Sequence, residues 1–193
     1  MKQQWRTTMI KPMIAGITLA TLFAATPTFA ATNSQHQFNV DAGYTTLDNG
    51  HSSDQVFTTT VGYSYYFSPF MGVDLGYNGT MSSTAKLRDG NGNAIETKYD
   101  SFYGGIRAEA PVTRYATLYA RGGFAYTQLE ETNVSAVPET SSTHSGVNPY
   151  VSAGARVATG LNPNLEFTAE VSYQDLDKGY SSTSFSVGAR FRM

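Results

Sequence analysis

The sequence predicts an all-β protein, an eight-stranded antiparallel up-and-down transmembrane β-barrel. Three observations predict it. Apolar and polar residues alternate with a period of two along most of the chain, from about residue 38 to the end. Short and long connections follow one another in turn. No segment carries the 3.6-residue period of an amphipathic helix.

Each strand is read from its more apolar face, because alternate side chains of an extended chain point to opposite sides. The first face is Phe38, Val40, Ala42 and Tyr44, and the second runs Phe57, Thr59, Val61, Tyr63, Tyr65 and Phe67. The third is Met71, Val73, Leu75, Tyr77 and Met81. The fourth is Phe102, Gly104, Ile106, Ala108 and Ala110, and the fifth Leu118, Ala120, Gly122, Phe124 and Tyr126. Val151, Ala153, Ala155 and Val157 form the sixth, and Leu165, Phe167, Ala169, Val171 and Tyr173 the seventh. The eighth is Phe185, Val187, Ala189, Phe191 and Met193, which closes the ring by pairing with the first.

"SPF" (68–70), "PVTRY" (111–115) and "GLNPN" (160–164) are tight turns marked by Pro or Gly. The long polar connections are 48–55, 82–98, 130–147 and 175–183. Strands of roughly 10 residues suit a tilted crossing of the hydrocarbon layer. Phe38, Phe67, Phe70 and Phe191 gather at the short-turn end, and Tyr44, Phe57, Tyr77, Tyr126, Tyr173 and Phe185 at the other. Two aromatic girdles with small aliphatic residues between them fit lipid contact.

Residues 1–30 stand apart from this pattern. Lys2, Arg6 and Lys11 precede a short apolar run, then Pro27 and a small-residue site, so we expect a signal peptide cleaved between Ala30 and Ala31. The barrel domain is then residues 31–193. There is no cysteine, so the fold must hold without disulfides in an oxidising compartment. Loss of the three leader bases takes the net charge from −2 to −5.

Alternation alone leaves two orientations open. The apolar face can meet lipid, or it can line a ligand cavity as in a soluble lipocalin-like periplasmic barrel. The charges on the polar face favour lipid. That face carries five acids, Asp41, Asp74, Glu109, Glu166 and Glu170, and five bases, Arg107, Arg121, Arg156, Arg190 and Arg192. Every base is arginine, whose planar fork suits crowded carboxylate pairs, whereas Lys86, Lys98 and Lys178 fall in or beside the long connections. The ten charges are therefore expected to form a lumen ion-pair network, with Tyr66, Tyr103, Tyr119 and Tyr150 filling space. Eight strands enclose a lumen only just wide enough for side chains, so a large pore is not expected.

Segments such as "GYSYYFSPFMGVDLGY" (62–77), "ATLYARGGFAYTQLE" (116–130) and "NPNLEFTAEVSYQDLD" (162–177) resemble the small outer-membrane barrels of the OmpA transmembrane-domain and OmpX kind. The resemblance covers essentially the whole of 31–193. It implies the Gram-negative outer membrane, contact with its lipid and lipopolysaccharide, delivery through the barrel-assembly machinery, and a monomer. Met193 stands where these barrels usually end on an aromatic, with Phe191 two residues earlier.

The connections hold ten acids against Lys86, Arg88, Lys98 and Lys178. An acidic rim disfavours nucleic acid and heparin as partners. Connections 82–98 and 130–147 are the candidate surface for an extracellular partner in an adhesive, host-contact or structural role. "DGNGNAIETKYD" (89–100) has a calcium-loop look, but Ala94 replaces the required glycine, and a plain hairpin tip is expected. "HSSD" (51–54) and "STHS" (142–145) supply the residue types of a lipid-A-modifying enzyme without showing that they meet, so no catalytic residue is assigned. No metal, nucleotide or other cofactor site is indicated.

Overall fold

The computed structural model describes residues 35–80, 84–88, 90, 92–134, 140–160, 162–176 and 179–193; the expected signal peptide and its Ala30–Ala31 cleavage site lie outside them. The described chain is all β. Its strands are β1 His36–Asp48, β2 Ser53–Ser68, β3 Met71–Gly79, β4 Ala85–Arg88, β5 Ala94–Pro111, β6 Ala116–Asn133, β7 Thr140–Ala158, β8 Leu165–Asp175 and β9 Ser181–Arg192. All neighbours are antiparallel, in the order β3-β2-β1-β9-β8-β7-β6-β5-β4, with β3 also paired to β5.

That last pairing closes the ring. β3 lies along the lower part of β5, from Met71 opposite Ala108 to Gly79 opposite Asp100. The four-residue β4 takes the same side of β5 higher up, from Ala85 opposite Thr97 to Arg88 opposite Ala94. Nine strands thus make eight positions, because β3 and β4 occupy one position in succession. The first and last long strands pair from Gln37 opposite Arg192 to Asp48 opposite Ser181.

Local chemistry turns the chain at the short-turn end. Thr113 Oγ1 accepts hydrogen bonds from the backbone N–H of Tyr115 (3.1 Å) and Ala116 (2.9 Å). Asn162 Oδ1 accepts from Asn164 N–H at 2.8 Å, and Gly160 takes the left-handed conformation beside it (φ +70°).

The connections expected at 82–98 and 130–147 are largely not loops. β4 and the start of β5 occupy the first, while β6 runs on to Asn133 and β7 begins at Thr140 in the second. These segments are polar at successive positions toward their tips, Thr140 to Thr143 being exposed throughout, and they stay extended because each is backbone-paired to its neighbour. Strands β5, β6 and β7 therefore rise as a continuous sheet past the aromatic girdle, with Ile95 still opposite Asn133 and Asn133 opposite Thr140.

Candidate functional site

The barrel is inverted relative to a soluble protein. Large apolar side chains point outward all round it, Leu75 at 60% exposure and Phe124 at 64%, while Arg107 and Glu109 are each 1% exposed inside. A soluble ligand-binding barrel would have these faces the other way round. The register aligns the upper aromatics around the ring: Tyr44 faces Phe57 and Phe185, Tyr77 faces Phe102, and Phe102 faces Tyr126.

Inside, the lumen is layered from the short-turn end upward. The lowest layer is a lattice of arginines and carboxylates. Glu109 is its hub: Arg107 Nε lies at 2.7 Å, Arg156 Nη2 at 2.6 Å and Arg190 Nη1 at 3.2 Å, and the Tyr66 hydroxyl donates to it as well. Glu166 takes Arg156 (3.1 Å) and Arg192. Asp74 takes Arg107 (3.3 Å) and Arg121 (3.5 Å), and Arg121 also pairs with Glu170. Asp41 stands apart from the arginines, holding hydrogen bonds from Asn39 Nδ2 and Thr168 Oγ1, each at 2.5 Å.

The tyrosines complete this packing. The Arg107 guanidinium lies 3.8 Å from the centre of the Tyr119 ring, and Arg121 stacks 5.1 Å from that of Tyr103. Glycine makes room for them: a Cβ at Gly76 would overlap the Tyr103 hydroxyl, and one at Gly62 would come within 2.8 Å of it.

Above the lattice the lumen wall turns to hydroxyls and amides. Thr45 Oγ1 bonds both Thr58 Oγ1 (2.9 Å) and Ser184 Oγ (2.7 Å), and Gln174 Nε2 donates to Thr127 Oγ1 at 2.5 Å. A cavity of about 40 Å³ lies here between Thr60, Tyr103, Tyr150 and Ser186, room for about one water molecule.

The top layer is apolar. Leu47, Val56, Ala85, Leu87, Tyr99, Leu129, Leu176 and Tyr180 form one buried cluster across the mouth. Glu131 acts on Tyr180 from beside this cluster and, after burial, is the largest cause that raises its pKa. The sequence signal for this cap is a change of parity: the outward series ends at Tyr44 and Tyr126, and the next apolar residues, Leu47 and Leu129, fall on the opposite face.

A model of the outer membrane protein β-barrel domain matches residues 16–192. The chain belongs to that family, the outer-membrane β-barrel proteins. Solved structures agree on the fold. Neisserial surface protein A (NspA) superposes with a TM-score of 0.67 at 14% identity, covering 83% of this chain and 98% of that one. The attachment invasion locus protein Ail of Yersinia pestis gives 0.57 at 16% identity, over 83% and 99%. OprG of Pseudomonas aeruginosa gives 0.58 at 13%, over 82% and 96%. No curated protein matches the chain. The protein is thus an integral outer-membrane barrel, and its outward apolar belt is the lipid-facing wall.

The two His- and Ser-bearing segments of this outer-membrane barrel do different work. Asp54 Oδ2 accepts from Lys86 N–H (2.7 Å), and Ser52 Oγ accepts from Arg88 N–H (2.7 Å), so both cap the outer edge of β4. On β7, Ser142 Oγ lies 3.2 Å from His144 Nε2, and Glu131 approaches that same nitrogen at 3.9 Å. An acid that orients a catalytic imidazole does so from the other ring nitrogen. Of the calcium-like segment, Asp89 and Asn91 lie outside the described residues and Ala94 starts β5. Among the described residues no group of three or more His, Cys, Asp or Glu is placed to hold a metal.

Proposed function

We propose that this barrel is a non-conducting membrane anchor whose function is surface contact, carried by the sheet of β4, β5, β6 and β7 above the upper aromatic girdle. One observation carries the reading: the lumen is blocked at two levels, by the arginine–carboxylate lattice and by the apolar cap, while the strands continue past the girdle with an exposed polar outer face. A channel needs a continuous polar path, and both the arginine–carboxylate lattice and the apolar cap interrupt it. With the lumen blocked and no triad among the described residues, the exposed sheet is the working surface in this reading.

In this reading the short turns face the periplasm and the raised sheet faces outward. Outer-membrane lipid and lipopolysaccharide contact the belt and its rim, and the molecule works as a monomer. Ail, one of the structural neighbours, has been crystallised with the heparin analogue sucrose octasulfate. The acidic balance of the outward segments here opposes a polyanion, so a different class of partner is expected.

The test has two arms. Purified protein in a planar bilayer should show no unitary conductance, and cells displaying it should lose surface attachment when 85–98 and 128–145 are replaced by short turns. Steady unitary conductance, or attachment that survives the replacement, would overturn the proposal.

A further inference from the structure

The ion pairs of the lower lumen join into a single network. Arg192 pairs with Glu166, Glu166 with Arg156, and Arg156 with Glu109, which also takes Arg190 and Arg107. Arg107 continues to Asp74, Asp74 to Arg121, and Arg121 to Glu170. Five arginines are thus tied to four carboxylates, and the network carries one positive charge without a negative one. The fifth inward acid, Asp41, stands outside it, its oxygens taken by Asn39 and Thr168.

The hydrogen bonds lean the same way. Among the described residues, buried N–H groups on Gln37, Arg107, Arg156, Arg190 and Arg192 have no acceptor. The carboxylate oxygens without a hydrogen bond are Asp74 Oδ1 and Glu109 Oε2, and the second lies 2.6 Å from Arg156 Nη2. Donors are in excess, and a buried donor left unmade is costly.

Three of these donors come together at the short-turn end. Gln37 stands opposite Arg192 in the β1–β9 register. Gln37 Oε1 accepts from Arg156 Nη1 at 3.5 Å. Arg156 and Arg192 share Glu166, one on each oxygen. Both oxygens of that carboxylate are therefore engaged, while Gln37 Nε2, Arg156 Nε and Arg192 Nε are not. Gln37 and Arg156 are buried, and the Arg192 side chain, 21% exposed, leaves this end within reach of solvent.

We propose that the short-turn end of the lumen binds a small monovalent anion of halide size, held by Gln37 Nε2 and the Nε–H groups of Arg156 and Arg192. One negative charge balances the network, and a spherical anion accepts several N–H groups at once. A divalent anion would reverse the imbalance, and a bulky one does not fit among the side chains of an eight-stranded lumen. The anion completes the lattice from the side away from the raised sheet, so it is independent of what that sheet contacts.

The experiment follows urea unfolding of the full barrel in lipid vesicles at constant ionic strength. Sodium chloride is exchanged for sodium gluconate, whose anion is too large for the lumen. The midpoint should rise with chloride, by roughly 0.7 M when chloride stands ten-fold above its dissociation constant. Bromide should act as chloride does. Gln37→Leu removes one donor and Arg192→Gln removes the surplus charge, so each should lose the chloride-dependent rise. A wild-type midpoint indifferent to chloride, or an equal rise in both variants, would overturn the proposal. Chloride-35 line width, read on wild-type protein in nanodiscs, needs no variant. Excess broadening that bromide removes saturably is expected, and its absence would equally overturn the site.

Discussion

Glu109→Gln probes the lumen most sharply. The substitution keeps size and shape and removes one negative charge from a carboxylate that faces Arg107, Arg156 and Arg190. Arg107 keeps Asp74 and Arg156 keeps Glu166. Among the described residues Arg190 pairs with no other carboxylate, and it is left with the Tyr66 hydroxyl at 2.9 Å and Ser64 Oγ at 3.3 Å. Breaking a buried pair from one side costs about 3–5 kcal/mol, because a charge remains without compensation. With a urea slope of about 2 kcal/mol per molar, the unfolding midpoint should fall by roughly 2 M. The assay is urea unfolding in lipid vesicles, read by the mobility difference between boiled and unboiled protein. Glu96→Gln, on the raised sheet opposite Lys86, is the control and should stay within about 0.5 kcal/mol of wild type. A fall of less than about 0.3 M for Glu109→Gln would refute a lattice held by these pairs.

Three further outcomes follow from the same geometry. Glu170→Ala removes the partner of a single arginine, and Arg121 retains Asp74, Tyr103 and Ser152, so its midpoint should fall clearly but by less than that of Glu109→Gln. Leu129→Ala hollows the apolar cap and should cost about 2–5 kcal/mol in the same urea assay, while bilayer conductance stays absent because the lattice beneath is intact. Tyr180 is pushed up to about 12, first by burial and then by its hydrogen bond to Glu131. Its contribution to stability is therefore complete below pH 10, where the unfolded tyrosine is also neutral, and is lost as the pH rises from about 10 to 12. Tyr180→Phe should lose less of its urea midpoint between pH 9 and pH 11.5 than wild type does; an equal loss in both would rule the effect out.

Much of this was legible in the sequence because a two-residue period and a bias in the type of charge dominate it. The outward face of β6, from Leu118 to Tyr126, and that of β9, from Phe185 to Phe191, follow from alternation alone. The absence of lysine from the polar face pointed inward, and nine of the ten charges chosen on that basis take part in ion pairs. Asp41 could not be distinguished from them, since its partners Asn39 and Thr168 come from its own strand and from β8, and a distant hydroxyl leaves no mark on local pattern. The raised parts of β6 and β7 are polar at nearly every position, so their sequence carries no period that would distinguish them from loops. From Gln128 on, the outward face turns polar while Leu129 brings an apolar residue to the inward face. The cap leaves no local mark, since Leu87, Leu129 and Tyr180 are far apart in sequence and meet only when the ring closes.

The outward face changes from apolar to polar at the girdle, and the absence of cysteine allows single spin labels to be placed without a background. Labels at Val151 and at Ser145 lie on the same outward face of β7, on opposite sides of the Tyr126 level. In lipid vesicles the label at Val151 should be relaxed strongly by oxygen and weakly by a water-soluble nickel chelate, and the label at Ser145 the reverse. Equal access of the nickel chelate to both positions would place the apolar wall in water and contradict the membrane-spanning barrel with a raised, hydrated sheet.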